Sequence, residues 1–329
     1  MDIKKVQPED TAACAEAVAL LTATAGVDCP EGIVPTPRSY AVDLEHGWDG
    51  DPADAYLARD ADGNVVGLLS TDLPTYDNTN LAWFSVAIHP DHRGRGYDSE
   101  LLAYGEDLAA ERGRTLLGLS HWDVPEADAL ARRHGFELKA IEVSRRQDLT
   151  DLDRATVQKL YDEAEQASTD YELIQVTGAL PEELLEGMVA VTASINDAPK
   201  DDLDLEDDVY TPQRLRAYEA AQTARDWTIY RMIARERGTG TLAGHSTIVV
   251  ERERPHLGHQ HDTAVDQAHR GHRLGALVKT GMLLWMWEAE PTLDQLHTWN
   301  AESNKHMVAI NEQLGYRVIG RGTSYQKAI

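Results

Sequence analysis

Apolar and polar residues alternate along this chain with two different periods, one typical of β-strands and the other typical of amphipathic helices. In the first half the pattern predicts a strand and a helix, then two strands joined by the turn sequence DADGN. A further strand and helix follow, and a strand–helix–strand unit closes this half. The second half repeats the order, with two helices after its first strand and a second hairpin at RERGTG. These alternating elements predict an α/β (α+β) protein.

The predicted boundaries can be given for the whole chain. The predicted strands are residues 2–7, 55–60, 65–73, 80–89, 115–121, 136–148, 171–178, 227–235, 241–251, 258–266 and 293–300, with closing strands from Tyr316. The predicted helices are residues 10–24, 96–112, 126–134, 181–196, 212–223, 274–290 and 303–314.

Residues of the same type recur at a spacing of 177 to 180 positions and in the same order in both halves. The pairs are Gly67 and Gly244, Arg93 and Arg270, and Gly135 and Gly315. This recurrence predicts two copies of one domain, at residues 1–149 and 170–329, joined by a charged helical linker at residues 150–169. Each copy is large enough to hold its own hydrophobic core, so the repeat does not indicate a solenoid.

The chain is strongly acidic. It has 31 Lys and Arg against 56 Asp and Glu, which gives a formal net charge of −25. A field of this sign repels nucleic acids and anionic membranes, so we expect neither as a partner, and it favours cationic ligands. The same charge can also serve solubility alone.

Cysteine content and the start of the chain indicate the compartment. Cys14 and Cys29 are too few for a disulfide framework or a cysteine-based metal site. The opening residues hold no apolar segment of the signal-peptide kind, and no apolar run approaches the ~18 residues that span a membrane. We therefore expect a cytoplasmic protein.

A basic turn in the second half indicates an anion site. The segment DTAVDQAHRGHRLGALVK, residues 262–279, is a strand that enters a glycine-containing turn and then a helix, with cations at Arg270, Arg273 and Lys279. Such a turn directs backbone N–H groups and the helix dipole at one point, where an anion is stabilised. The first half has a similar segment, FSVAIHPDHRGRGYDSELL, at residues 84–102. A turn of this type can also be an ordinary left-handed turn without a ligand.

Each half resembles the GNAT (N-acetyltransferase) superfamily, whose signature is Q/R-x-x-G-x-G/A between a central strand and a helix. The resemblance covers essentially the whole chain, as in two-domain actinobacterial members. It implies that each domain has a mixed, centrally splayed sheet flanked by helices, and that the turn amides hold the pyrophosphate of coenzyme A. It therefore implies acetyl-CoA as the cofactor.

The second copy matches the family signature better than the first. Arg270 and Gly275 fit the signature, and Arg273 replaces the first glycine but adds a phosphate partner. In the first copy, Asp98 occupies the last signature position and would repel a phosphate, so we expect this copy to be degenerate. The resemblance implies a cofactor site formed by Thr263, Ala264, Val265, Arg270, Gly271, His272, Arg273, Leu274, Gly275, Ala276, Asn300 and Asn304.

The helix after the turn carries the rest of the family pattern. Asn304 resembles the family asparagine that contacts the cofactor, and the first copy has Val124 there, although Asn304 could also be an ordinary polar residue of a first helical turn. The general-acid tyrosine frequent in the family would fall at Asn311 in the second copy. The leaving thiolate must therefore be protonated by water, by Tyr325 or by another group.

Two histidines precede the turn in the segment HLGHQHDTAV. On a regular strand His259, His261, Thr263 and Val265 share one face, and Asp262 lies on the other as a weaker candidate. The H-x-H pattern is similar to the paired histidines of arylalkylamine N-acetyltransferases, so we predict that His259 or His261 is the catalytic base. A metal site and a solvent-exposed strand are the alternatives.

The acceptor is expected to be a small amine. The loop DAPKDDLDLEDD, residues 197–208, has seven Asp or Glu in twelve residues, and in the family this region overhangs the acceptor pocket. Its carboxylates could hold an aminosugar, a polyamine or a basic amino acid or peptide, or could form a solvated acidic loop.

The second copy is therefore expected to be an N-acetyltransferase in which the amine attacks acetyl-CoA directly, in a monomer or homodimer. The alternatives are a mycothiol synthase-like acetyltransferase and a non-catalytic acyl-CoA-binding module.

Overall fold

A computed structural model describes all 329 residues and contains nine α-helices and twelve β-strands. The helices are α1 (Thr11–Asp28), α2 (Pro37–His46), α3 (Tyr97–Glu111), α4 (Pro125–Arg133), α5 (Arg154–Ala167), α6 (Glu182–Thr192), α7 (Pro212–Ala224), α8 (Leu274–Ala289) and α9 (Lys305–Gln313). The strands are β1 (Asp2–Lys5), β2 (Asp54–Arg59), β3 (Val65–Asp72), β4 (Leu81–Ile88), β5 (Leu116–Trp122), β6 (Glu137–Asp148), β7 (Tyr171–Thr177), β8 (Trp227–Glu236), β9 (Leu242–Glu251), β10 (Leu257–Val265), β11 (Gln295–Ala301) and β12 (Arg317–Ala328). The predicted element types are confirmed, except that helix α2 was not predicted.

Helix α2 depends on its cap more than on an apolar stripe. Thr36 and Ser39 form a capping box, in which each side chain accepts a hydrogen bond from the other residue's backbone N–H at 3.2 and 3.0 Å. Only Ser39 and Tyr40 of its ten residues are buried. A helix with so narrow a buried face has no clear apolar period in its sequence.

All twelve strands belong to one sheet, in the order β1-β2-β3-β4-β5-β12-β6-β11-β10-β9-β8-β7. The closing strands of the two halves, β6 and β12, lie side by side at its centre. Each pairs on its other edge with the opposite half, because β12 pairs with β5 and β6 pairs with β11. The mixed sheets predicted for the two copies are therefore joined into one continuous mixed sheet.

The sheet opens within each of its two parallel strand pairs, β10–β11 and β4–β5. Strand β10 pairs with β11 only at Leu257–His259, although β10 continues to Val265. Strands β4 and β5 likewise pair only over the first residues of β4. Beyond these points the strands diverge, so the predicted central splay is confirmed in both halves.

Helices cover both halves of the sheet. In the second half α8 packs on β8 and β9, and α5 packs on α8 through the buried Val157 and Ala164. The predicted linker therefore contributes to the core of the second half. In the first half α3 packs on β3 and β4, and Tyr325 of β12 belongs to this core with 2% exposure.

Helix α1 is long and apolar enough, by length and composition, to cross a membrane, with a mean hydropathy of 1.2 over 18 residues. No segment apolar enough to span a membrane was predicted from the sequence. In the fold α1 lies over the first half, where Cys14, Ala17 and Leu20 pack in one cluster with Leu57 and Leu68. The apolar residues of α1 thus pack on the sheet of the first half.

His245 on β9 is an uncharged histidine in the core of the second half. It is 2% exposed, its Nδ1 lies 3.4 Å from Thr247 Oγ1, and its Nε2 has no partner. Burial, and then the charge of Arg231, lowers its pKa to about 3. A protonated imidazole is therefore excluded from this position in the folded state.

We expect the first-half core to depend on the last strand of the chain. Replacing Tyr325 with Ala should lower the free energy of unfolding by about 3–5 kcal/mol, the usual cost of removing a buried aromatic ring. Urea unfolding followed by tryptophan fluorescence would measure this cost, and the wild type should show one transition. Lys327→Ala on the same strand removes a partly exposed ion pair with Glu106 and a cation–π contact with Phe136, and should cost about 1–2 kcal/mol. Two separate wild-type transitions would contradict the coupling of the halves through β12.

We also expect His245 to destabilise the protein in acid. Because its folded pKa lies below the unfolded value near 6.5, the unfolded state binds the additional proton, and stability falls as the pH falls from about 6.5 towards 3. At pH 5 the loss should be about 2 kcal/mol relative to pH 7. Urea unfolding at both pH values should show a pH dependence smaller by this amount in His245→Gln. An unchanged pH dependence would show that His245 is not the group that titrates.

Candidate active site

A cavity of about 1270 Å³ lies where β10 and β11 diverge, between the two halves of the chain. Thirteen of the fourteen residues predicted for the site line it. They are His259, His261, Thr263, Ala264, Val265, Arg270, Gly271, Arg273, Leu274, Gly275, Ala276, Asn300 and Asn304. The exception is His272, whose ring lies 5.5 Å from the ring of Tyr171.

The first half closes the other side of this cavity. Trp48, Trp122 and Glu142 line it from that half, and Trp122 stacks on Trp299 of β11 with ring centroids 5.1 Å apart. The pairing of β6 with β11 brings Glu142 opposite Ala301. The walls of the cavity thus come from both halves.

The turn before α8 has the backbone that an anion site requires. Gly271 and Arg273 have positive φ angles of 87° and 58°. This left-handed conformation costs a non-glycine residue about 1–2 kcal/mol, so Arg273 is held there at some cost in stability. The N–H groups of the first turn of α8 have no partners within the helix and are available to a ligand.

Gly275 leaves free space beside these N–H groups. A Cβ atom at this position would meet nothing closer than 3.7 Å, at Ile310 Cδ1, so no protein atom requires a glycine there. The turn therefore has room for a group that approaches the helix N-terminus closely.

The arginines of the turn pair with carboxylates. Arg270 donates to Val265 O at 3.2 Å and to Asp197 Oδ2 at 2.5 Å, and both side chains of this ion pair are nearly half exposed. In the first copy Arg93 makes a two-pronged pair with Asp28 at 2.8 and 2.6 Å, and these side chains are only 26% and 14% exposed. The arginine of the second copy is therefore the more accessible of the two.

A β-bulge interrupts β10 between Gln260 and Thr263. The additional residue reverses the alternation of faces, so Thr263 and Val265 lie on the Gln260 side, and Thr263 Oγ1 is 3.0 Å from Ser246 Oγ. The predicted common face of His259, His261, Thr263 and Val265 is therefore wrong for the last two. His259 precedes the bulge and His261 lies within it, and their ring centroids are 6.3 Å apart.

His259 is oriented by a buried carboxylate. Its Nε2 lies 2.7 Å from Oε1 of Glu251, a residue that is 1% exposed, and its ring stacks on Trp227 at 4.8 Å. A carboxylate only accepts hydrogen bonds, so Nε2 carries the hydrogen and the neutral ring keeps its lone pair on Nδ1. Burial tends to raise the pKa of Glu251, but hydrogen bonds from His259 and Arg254 outweigh it and lower the pKa, so this carboxylate stays ionised.

His261 lies in a different environment. Its Nδ1 is 2.6 Å from the hydroxyl of Tyr218, and its ring packs 4.4 Å from that of Trp48. Burial, and then the proximity of His259, Arg225 and Arg231, lowers its pKa well below the usual value. His261 is therefore a neutral hydrogen-bonding group at physiological pH.

Asp262 lies at the bulge and lines the same cavity. It has no ion-pair partner, and burial, with the nearby charge of Asp208, raises its pKa to about 6. The sequence analysis placed it on the opposite face from the histidines, but the bulge gives it access to the cavity. A carboxylate without a partner can accept a cationic group there.

The asparagines near α9 are hydrogen-bonded to one another or to the helix. Asn304 caps α9 by accepting from Met307 N at 3.1 Å, which leaves its amide NH₂ free. Asn311 is 1% exposed and donates to Asn300 Oδ1 at 3.3 Å, while its own Oδ1 has no partner. Tyr325, one candidate proton donor, instead donates to Asp128 in the first half.

The acidic loop does not overhang the cavity along its whole length. Only its first three residues line the cavity, and the rest of the loop crosses to the first half. There Glu206 exchanges two hydrogen bonds with Asn78, at 2.8 and 3.0 Å, and Asp204 N donates to Gln326 at 2.7 Å. The carboxylates between residues 201 and 208 therefore do not line the cavity, and Asp197 is the loop carboxylate that does.

Sequence analysis did not identify several polar residues of the site. Glu251, Tyr218 and Trp48 come from three separate elements or loops and meet the histidines only in the folded chain. The sequence did offer one indication for Glu251, because this residue ends the predicted strand LAGHSTIVVE. All ten residues of that strand are buried in the structure. Tyr218 and Trp48 have no such signal in the sequence.

Comparisons with known proteins show which family and which fold the chain resembles. Residues 26–136, in the first half, match the acetyltransferase (GNAT) family. The chain is 33% identical over 146 residues to the mycothiol acetyltransferase of Stackebrandtia nassauensis, which covers 44% of this chain and 46% of that protein. It is 39% identical over 97 residues to the mycothiol acetyltransferase of Clavibacter sepedonicus, covering 29% and 31%. The matched segments thus span less than half of these relatives.

Solved structures match over nearly the whole chain. A tandem GNAT protein from the clavulanic acid biosynthesis pathway superimposes with a TM-score of 0.81 over 99% of this chain and 98% of that one, at 24% identity. A GCN5-related N-acetyltransferase from Sphaerobacter thermophilus superimposes with a TM-score of 0.69 over 99% and 95%, at 14% identity. Residues 26–136 match the acetyltransferase (GNAT) family, and the chain as a whole has the fold of a tandem GNAT protein.

Proposed function

We propose that this protein is an acetyl-CoA-dependent N-acetyltransferase, in which a small cationic amine attacks the thioester directly in the second half of the chain. The observation that carries the proposal is the position of the His259–Glu251 pair in the same cavity as the basic turn before α8. An anion-binding turn and an oriented base are the two parts that this chemistry requires.

The residues of the turn fit a coenzyme A phosphate group. Free N–H groups at the start of α8, the space beside Gly275 and the half-exposed Arg270 together form an anion site. Beyond His259 the backbones of β10 and β11 no longer pair, although Thr298 Oγ1 still donates to Gln260 O at 3.1 Å. The remaining backbone groups of β10 can hydrogen-bond the amides of the pantetheine arm. When bound, acetyl-CoA supplies an activated acetyl group.

His259 is the better of the two candidate bases. Its Nδ1 lone pair has no protein partner, while Glu251 stabilises the imidazolium that forms when the ring takes a proton. The ring of His261 is engaged by Tyr218, and its lowered pKa makes it a weaker proton acceptor. We assign His259 the removal of the ammonium proton and His261 a supporting contact with the acceptor.

Carboxylates in the cavity wall support a cationic acceptor. Asp262 and Glu142 line the cavity without forming ion pairs, whereas Asp43, Asp197 and Glu251 are each paired with an arginine. An acceptor ammonium would give the first two a partner. The cytoplasmic location and the monomeric or homodimeric state remain predictions that belong to this proposal.

A second candidate is a mycothiol acetyltransferase activity, because the relatives named above carry that name and match part of this chain. A non-catalytic acyl-CoA-binding module is the remaining alternative. Release of free coenzyme A should be measured with a panel of aminosugars, polyamines, basic amino acids and the substrate of the mycothiol enzymes. Turnover with none of them, despite coenzyme A binding, would favour the binding module.

We expect one coenzyme A site per chain. Isothermal titration should give a stoichiometry near one, and Gly275→Asp, which introduces the carboxylate found at Asp98, should weaken binding at least tenfold. Losing a charge-assisted contact costs about 1.5–3 kcal/mol, so Arg270→Ala should weaken binding about 10- to 100-fold. The matched change in the first copy, Asp98→Gly, should leave affinity unchanged. Two equally tight sites would contradict the assignment of the first copy as degenerate.

We expect His259 and Glu251 to act together. His259→Gln should lower kcat/KM about 100- to 10,000-fold with little change in coenzyme A affinity, as is typical for a general base. Glu251→Gln should also lower kcat/KM, because the imidazolium that forms when His259 takes the proton loses its carboxylate partner. His256→Gln is the control, since this exposed histidine lies outside the cavity. A His259→Gln enzyme with the wild-type kcat/KM would exclude His259 as the base.

A further inference from the structure

Lys279 is a buried cation in the wall of the cavity. It lies on α8, four residues after Gly275 and so on the same side of the helix, and it is 3% exposed. It lines the cavity together with the turn residues. Its ammonium forms no hydrogen bond or ion pair with any protein group, although a buried charge normally has a partner.

The surroundings of Lys279 offer no carboxylate. Its neighbours on α8, Val278 and Met282, belong to the apolar core of the second half, and the nearest aromatic contact is the ring of Tyr316, whose centroid is 5.3 Å from Nζ. Burial alone lowers the pKa of Lys279 to about 7, and no charged group contributes to the shift. Tyr316 is itself uncharged, because burial raises its pKa.

The site has no other proton donor at the position where the family resemblance expects one. Asn311 occupies that position, and an amide cannot donate a proton as an acid. Tyr325 is engaged by Asp128 in the first-half core, and neutral His261 is engaged by Tyr218. Among the residues that line the cavity, Lys279 combines burial, an ammonium proton and the absence of any hydrogen-bond or ion-pair partner.

We propose that Lys279 is the catalytic residue that protonates the leaving thiolate of coenzyme A. The inference rests on the proposed function and adds the general acid to it. The amine nitrogen forms a bond to the carbonyl carbon, and the carbon–sulfur bond breaks with its electron pair remaining on sulfur. The proton passes from the Lys279 ammonium to sulfur to give the free thiol, and the neutral lysine regains a proton from solvent.

The first test changes both the residue and the leaving group. Lys279→Met should lower the acetylation rate at least 100-fold, and the loss should be larger for an oxygen ester analogue of acetyl-CoA, because an alkoxide needs the proton more than a thiolate does. Lys279→Arg should not restore the rate, since a guanidinium keeps its proton. Lys305→Met, at an exposed position on α9, is the matched control and should retain full activity. A Lys279→Met enzyme with the wild-type rate for both esters would overturn the proposal.

The second test does not depend on turnover. The thiol of bound coenzyme A can be titrated by the ultraviolet absorbance of its thiolate, and a nearby ammonium should lower the thiol pKa in the wild type. The shift should be absent in Lys279→Met and retained in Lys279→Arg. Equal thiol pKa values in the wild type and Lys279→Met would place the lysine away from the sulfur and overturn the proposal.

Two controls separate the possible failures. Lys279→Met removes an unpaired buried charge, so its thermal midpoint should be unchanged or higher, and Lys279→Gln provides a second variant if Met disturbs the packing. A lower midpoint in both variants would show that the lysine serves the fold, which would overturn the assignment. If the wild type binds coenzyme A but acetylates no amine, the proposed function fails. If the wild type acetylates an amine and the Lys279 variants do so equally well, only the proposed role of Lys279 is rejected.

Discussion

The antiparallel pairing of β6 with β12 holds the two halves of the chain in one sheet, and the candidate site depends on it. Each of these strands closes its own half and completes the sheet of the other. Because β6 also pairs with β11, the first half is placed directly beside the cavity in the second half. A single copy of the domain would have an open edge at β11 and would lack the walls formed by Trp122 and Glu142.

Two local departures from regular strand pairing create the cavity within this frame. Strands β10 and β11 separate after His259, and the bulge before Thr263 turns the following residues of β10 to the other face. The separation leaves backbone groups without partners, which would be costly in a core but is suited to a ligand that hydrogen-bonds them. The same segment carries His259, so the proposed base and the diverging strand edge are adjacent in the sequence and in space.

The cavity is lined by polar groups that lower the stability of the fold. Arg273 has a left-handed backbone conformation, Lys279 is a buried cation without a partner, and Asp262 is a carboxylate without one. Each lowers stability, and all three line one cavity. In the first copy the corresponding arginine is paired in a more buried contact with Asp28. The contrast between the copies supports a division in which the second half binds ligands and the first half supports it.

The order of the elements, the duplication and the turn that holds Arg270 could be predicted from the sequence. These features depend on short-range periodicity and on local signals for turns and caps. It could not show the shared sheet, the bulge or the Glu251 partner of His259, since these depend on contacts between residues distant in the chain. The acidic loop shows the same limit, because its composition does not reveal that Glu206 is engaged by Asn78. The sequence shows Lys279 only as one cation of a basic motif. Its burial could not be predicted, because burial depends on the packing of several elements at once.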